Sequence, residues 1–195
     1  LFRFDACVAS VFPYMINRSV PGYATVVGMT GTLAAQHARP RSQIYDLGCS
    51  WGASLLSVAR EAACDRCALI GVDNSESMLE QASHHLAKFP EASRIELRHA
   101  DVLDVTLDNA SVVILNYTLQ FIPIEERAGL LTRIREAMMP GDVLILSEKL
   151  TLPDPRLNEY LIDLHHDFKR QQGYSDLEIS QKRQALEDVL VPETR

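Results

Sequence analysis

The chain of 195 residues lacks any apolar run approaching the roughly 20 residues that span a bilayer. No membrane role is therefore expected. It has no internal repeat and no low-complexity stretch, so one non-repetitive unit is expected over residues 1–195. It also lacks an excess of positive charge. Lys plus Arg number 19 against 26 Asp plus Glu, a net charge of −7. A direct nucleic-acid binder gains affinity by releasing counterions from phosphates through a basic face, and this balance argues against one. The four cysteines come without secretory features, so reduced thiols in a cytoplasmic protein are expected. The chain opens Leu1-Phe2-Arg3-Phe4-Asp5 with no initiator Met, which suggests a cropped start, and with no signal peptide. What is present is apolar material: 47% of residues are hydrophobic, enough for one core and too much for a disordered chain.

Two periodicities alternate along the chain. Short apolar runs read as buried strands at Ile44–Asp46, Ala68–Val72, Arg94–Leu97, Ser111–Leu115 and Asp142–Leu146. Most are apolar nearly throughout, as in parallel strands covered on both faces. Amphipathic stretches intervene at Ala53–Ala62, at Ser75–Phe89 with Ser75 as N-cap, and at Glu125–Met139, which Pro140-Gly141 should stop. Strand and helix in alternation predict a doubly wound α/β fold with a mostly parallel sheet. Residues 41–150 form that core. Residues 1–40 and 151–195 read as helical caps over one end of the sheet, at Asp5–Arg18, Tyr23–Ala38, Pro153–Gln172 and Ser175–Leu190. Nothing after Leu146 reads as a strand.

The loop Asp46-Leu47-Gly48-Cys49-Ser50-Trp51-Gly52 joins the first strand to the next helix, where such sheets bind ligands. A dinucleotide loop wants Gly-x-Gly-x-x-Gly, and Ser50 and Ser54 stand where its second and third glycines belong. Gly48-Cys49-Ser50-Trp51-Gly52 matches a hydrolase nucleophile elbow literally, with His165 or His166 as a conceivable base. That elbow normally follows several strands and an oxyanion loop, neither of which precedes it here. The third reading is similarity to the S-adenosylmethionine loop of class I methyltransferases, Asp/Glu-x-Gly-x-Gly-x-Gly, which fits except at Ser50. Asp73 ends the second strand, where a carboxylate can accept both ribose hydroxyls; its bland alternative is a helix cap. Asp101 follows the third strand and could accept from an adenine amino group while Val102 offers its N–H; the alternative is a turn residue. Asn116 ends the fourth strand. Four polar residues at four successive strand ends point to a binding rim.

The chain also resembles the carboxy-S-adenosylmethionine synthase family over nearly its whole length. The resemblance is carried by Arg18-Ser19-Val20-Pro21-Gly22-Tyr23, Tyr45-Asp46-Leu47-Gly48-Cys49-Ser50, Val72-Asp73-Asn74-Ser75 and Leu115-Asn116-Tyr117-Thr118-Leu119-Gln120-Phe121. It continues in Leu146-Ser147-Glu148-Lys149, His165-His166-Asp167-Phe168-Lys169-Arg170, Gly173-Tyr174-Ser175 and Glu178-Ile179-Ser180-Gln181-Lys182-Arg183. It accounts for Ser50, because this family carries Gly-Cys-Ser in the loop. It implies a methyltransferase-like enzyme that transfers no methyl group. S-adenosylmethionine and prephenate would yield carboxy-S-adenosylmethionine and phenylpyruvate, through a sulfonium ylide that captures carbon dioxide. The product would pass to a separate tRNA carboxymethyltransferase acting on a wobble uridine. Residue by residue, the resemblance implies that Tyr23, Gly48, Cys49 and Ser50 touch the cofactor. It puts Asp73 and Asn74 at the ribose, Asp101 and Val102 at the adenine, and Asn116 at the amino-acid portion. Arg183 would pair with the new carboxylate, a role suited to a forked, permanently charged guanidinium. The alternative for Arg183 is a solvated helix face.

The resemblance further implies a homodimer and a seven-stranded sheet, whose last two strands would lie beyond Arg195. An ylide needs shielding from water, which the leading and trailing helices could supply, and ring faces near Tyr23 and Tyr117 could favour a sulfonium. Two other readings use the same rim. One is an ordinary methyltransferase acting on a small molecule or RNA. The other is a non-catalytic cofactor-binding partner of a tRNA enzyme. Cys64-Asp65-Arg66-Cys67 lacks the second pair of a zinc site and reads as free thiols, and His165-His166-Asp167 points around a helix rather than at one metal. His84-His85 reads as solvated helix surface, and Trp51 as packing under the loop.

Overall fold

The computed structural model describes residues 4–64, 66–187 and 189–194. Five strands form the main sheet: β1 (Gln43–Leu47), β2 (Ala68–Asp73), β3 (Ile95–His99), β4 (Ala110–Asn116) and β5 (Met138–Ser147). Their order is β3-β2-β1-β4-β5, and every neighbouring pair is parallel. β1 therefore lies at the centre, with the chain winding outward first through β2 and β3 and then through β4 and β5. The reversal between β1 and β4 leaves a crevice at their carboxyl ends.

The alternation of side chains along each strand divides the core in two. Ile44, Leu69, Val112 and Ile114 point to one face, packed against Leu55 and Val58 of α3 (Ala53–Glu61) and Ala34 of α2 (Tyr23–His37). Tyr45, Leu47, Ile70, Val72, Val113 and Leu115 point to the other, against Leu130 and Ile134 of α5 (Ile124–Ala137). Each central strand is buried on both sides, so its near-continuous apolar sequence is accounted for. α2 thus lies against one sheet face, which the reading of the leading segment as an end cap did not anticipate. α1 (Ala6–Ser19) does sit toward the rim, where Ala9 and Phe12 pack on Met78 of α4 (Glu76–Leu86).

Polar side chains cap the starts of three helices, while the last helix ends at Leu186, short of the expected Leu190. Ser75 caps α4 by accepting the Met78 N–H at 3.2 Å. α6 (Pro155–Gln171) begins with Asp154 as cap and Pro155 in the first turn, and α7 (Asp176–Leu186) with a capping box between Ser175 and Glu178. α5 stops at Ala137, two residues before the expected end at Met139. Met138 already pairs with Ala110, so β5 starts before Pro140-Gly141 instead of after it. Two short strands escaped the sequence reading altogether: β6 (Leu150–Thr151) pairs with β7 (Glu193–Thr194). The buried Arg127 guanidinium organises this return, donating to the carbonyls of Ile122 and Val191 and to the Glu193 carboxylate. A two-residue pair held by one distant arginine has no periodicity to read.

The trailing helices dock on the end of α1 through Ser19. Its carbonyl accepts from His165 Nε2 at 2.7 Å, and its hydroxyl meets Lys182 Nζ at 2.7 Å and the Tyr174 hydroxyl at 3.0 Å. Cys64 and Cys67 are joined as a disulfide between α3 and β2, correcting the expectation of free thiols there. Cys7 and Cys49 are free. Among the described residues no helix is long and apolar enough to cross a membrane.

Gly71 tests the core. A Cβ there would lie 2.5 Å from Leu55 Cδ1 and 2.9 Å from Cys49 Sγ. Gly71→Ala is expected to destabilise the chain by about 1–3 kcal/mol through overpacking. Thermal denaturation should show a drop of roughly 2–4 °C for each kcal/mol.

Candidate functional site

The loop after β1 turns tightly because Gly48, Ser50 and Gly52 all have positive φ, at 79°, 52° and 82°. Gly48 has no room for a side chain: a Cβ would stand 2.4 Å from Thr118 Oγ1, which itself donates to the Leu47 carbonyl. Ser50 occupies the left-handed region without being glycine, a costly conformation that clusters at functional sites. Tyr117, directly after β4, does the same with φ 60°. The two strained residues follow β1 and β4, the strands on either side of the reversal.

Asp73 holds the loop in place. Its Oδ2 accepts the Ser50 N–H at 2.9 Å and its Oδ1 accepts the Ser75 N–H at 2.9 Å. The Gly48 and Cys49 N–H groups both donate to the Val72 carbonyl. The carboxylate expected at the ribose thus also fastens the end of β1 to the end of β2. Burial raises its pKa, and these two amide hydrogen bonds oppose the rise. Behind it lies Asp46, 2% exposed. Burial and then the nearby Asp73 push its pKa up to about 7. No lysine or arginine forms an ion pair with either carboxylate among the described residues. Asp73 is partly buried and has His99 nearby, but two acids this close with no lysine or arginine paired to them favour a positively charged guest.

Aromatic rings line the neighbouring wall. Trp51 Nε1 donates to the Tyr23 hydroxyl at 3.3 Å, and the Tyr23 and Tyr117 ring centroids are 6.3 Å apart. Burial pushes the Tyr23 phenol up to about 12, so it stays neutral. Trp51 stacks on His85 with centroids 4.3 Å apart, so His85 packs under the loop and only His84 is on the exposed face as expected. Asn116 donates through Nδ2 to Thr30 and Ser54, each at 3.0 Å. Its Oδ1 and the Ser50 hydroxyl are buried without a hydrogen-bond partner. Buried polar atoms are normally satisfied. Both orphans sit at residues expected to touch a ligand, one on the loop and one at the rim of β4.

The other expected residues divide. Asp101 Oδ1 accepts the Leu103 N–H at 2.9 Å, the geometry of the turn residue that was its alternative. Val102 is buried in the sheet's second core layer. Asn74 is exposed beside His99, whose ring meets its carbonyl. Arg183 lies on the exposed face of α7, and its charge is felt by Lys149 after β5 and by His166. Through Lys149 it neighbours the segment just past β5. Sequence reasoning passed over Glu148. Its carboxylate accepts the Leu119 and Gln120 N–H groups at 2.7 and 3.2 Å, fixing the turn after Tyr117. Burial pushes it to about 7. The sequence signals were its place just past a strand end and its inclusion in the Leu146-Ser147-Glu148-Lys149 string, neither of which assigns it a role. Thr30 and Ser54, which position Asn116, carried no signal, because their roles depend on helix packing.

A family model described as a methyltransferase domain matches residues 44–141. Relatives named carboxy-S-adenosyl-L-methionine synthase align over 193 residues, at 52% identity in Marinobacter nauticus and 49% in Photorhabdus laumondii. Each alignment covers 99% of this chain and 77% of the relative. Among solved structures, a putative S-adenosyl-L-methionine-dependent methyltransferase from Methanococcus maripaludis superposes with a TM-score of 0.62 at 15% identity, covering 97% of this chain and 86% of that one. That likeness speaks for the fold. The parallel sheet, the Asp46 loop and half-identical relatives along nearly the whole chain together place this protein: it belongs to the carboxy-S-adenosyl-L-methionine synthase family of enzymes on the methyltransferase fold.

Proposed function

We propose that the protein converts S-adenosyl-L-methionine and prephenate to carboxy-S-adenosyl-L-methionine, phenylpyruvate and water. The methyl proton and the departing hydroxide together make the water, and the carbon dioxide lost by prephenate becomes the new carboxylate. The observation that carries the reading is the buried Asp46 and the partly buried Asp73, neither paired with a lysine or arginine among the described residues, beside the orphaned Ser50 and Asn116 oxygens. S-adenosylmethionine brings a sulfonium and an ammonium to such a site, with hydroxyls and amines for the orphans. The sulfonium makes its methyl group acidic when bound.

The chain's own part is to bind, orient and exclude water. Gly48, Cys49 and Ser50 let the backbone lie close to the guest. Asp73, already fixed by two amides, has lone pairs left for ribose hydroxyls, with Asn74 next to it. Val102 and Asp101 flank the adenine side. The Asn116 amide is locked through Nδ2, which leaves Oδ1 to accept from the amino-acid ammonium. Tyr23, Trp51 and Tyr117 give a neutral aromatic wall that suits a sulfonium. Arg183 recognises the carboxylate that distinguishes product from starting material. The functional unit is read as a homodimer in the cytoplasm that hands its product to a tRNA carboxymethyltransferase without itself holding tRNA, in keeping with the net charge of −7.

Mass spectrometry after incubation with S-adenosylmethionine and prephenate should find the cofactor heavier by one carboxylate. Recovery of S-adenosylhomocysteine with a methylated acceptor would favour an ordinary methyltransferase instead. The affinity for S-adenosylmethionine should rise as pH increases through about 7, because Asp46 then ionises and meets the cation. Asp46→Asn should flatten that rise and weaken binding about ten-fold or more at pH 8, read by calorimetry. Arg183→Leu should cost about 1.5–3 kcal/mol of affinity for the carboxylated product while leaving affinity for S-adenosylmethionine nearly unchanged.

A further inference from the structure

A second charged neighbourhood lies across the rim, and its sign is opposite. Lys149 follows β5, Lys169 ends α6 and Lys182 lies in α7. Lys169 is only 9% exposed. Lys182 is half-buried, donates to the Ser19 hydroxyl and lies 5.6 Å over the Tyr174 ring. These ammonium groups crowd one another: Lys149 acts on Lys169, Lys169 on Lys182, and Arg183 on Lys149. His165 and His166 face the same lysines. None of the three lysines forms an ion pair among the described residues. Three acids close in sequence to this cluster are otherwise engaged. Glu148 is held by two backbone amides, Asp163 faces His166, and Glu178 is tied to Ser175.

Collecting ammonium groups at a partly buried place without a counter-charge is unfavourable, since each loses water and repels the next. Burial lowers the pKa of all three, bringing Lys182 to about 8. Such a site is completed by a multiply charged anion. Three separate elements present the cations, so the charges are spread over a surface rather than converging as a phosphate cradle does at one loop. Lys149 is joined to the cofactor rim through Ser147, whose carbonyl accepts the Tyr117 N–H at 2.7 Å.

We infer that Lys149, Lys169 and Lys182 form a binding subsite for a small dicarboxylate, the cosubstrate, on the β5 side of the rim. Carboxylates docked there would approach the sulfonium cleft from the side opposite Asp46 and Asp73. This rests on the reaction proposed above only for the identity of the cosubstrate; the charge class comes from the cluster itself.

Calorimetric titration of the S-adenosylmethionine-loaded full chain with prephenate, malonate and inorganic phosphate tests it. Both dicarboxylates should bind, and Lys149→Gln and Lys169→Gln should each weaken them about ten-fold, with affinity for S-adenosylmethionine within about two-fold of wild type. Lys149 lies at the open edge, so its variant decides the matter if the buried Lys169 variant fails to fold. Unchanged dicarboxylate affinity in the folded variants, or no binding to the wild type at millimolar concentration, overturns the subsite. Phosphate binding as tightly as the dicarboxylates overturns the assigned class. Dicarboxylate binding sensitive to both lysines, with no carboxylated product, would sink the reaction and keep the subsite. Product formed with an unaltered requirement for prephenate in both variants would do the reverse.

Discussion

One carboxylate ties the molecule together at its rim. Asp73 uses one oxygen for the first loop of the sheet and the other for the start of α4. The loop after β1 and the helix after β2 therefore share a single hinge point, and the conformation of each is set by the other. Everything the crevice presents, from the left-handed Ser50 to the buried Asp46, is held relative to that point. A carboxylate so placed is ill at ease: it sits near a second acid in a dry setting, with backbone amides as its main relief. The stability of the loop and its appetite for a cation have the same origin.

The architecture was legible because its signals are local. Five apolar runs, most of them separated by helical ones, predict the parallel sheet, and Ser75 marks a helix start that the structure uses. The reading failed where a distant partner decides. Met138-Met139-Pro140-Gly141 looks like a helix stop, yet pairing with Ala110 draws it into the sheet. β6 and β7 exist because Arg127 gathers two chain segments far apart in sequence. Cys64 and Cys67 looked like isolated thiols, but the turn between α3 and β2 brings them together.

At the site the same division holds. Residues fixed by their position in a strand-end loop, such as Gly48, Ser50, Asp73 and Asn116, stand where the spacing put them. Tyr23 arrives from α2, and only the docking of that helix brings its ring to Tyr117. Asp101 sits at the expected strand end, although its carboxylate is turned inward to its own backbone. The chemistry of the opposite bank is spread over three distant segments of the chain, so no single motif announces it. It emerges only once the trailing helices are folded back.

Ser19 has the last consequence. It anchors His165, Tyr174 and Lys182 of the trailing segment, and it precedes Tyr23 by a single short bend through Pro21 and Gly22. The stiff Pro21 and the left-handed Gly22 leave little slack between that anchor and the aromatic ring. A tilt of the last two helices is therefore delivered, like a tug on a short rope, to the ring that borders the cleft.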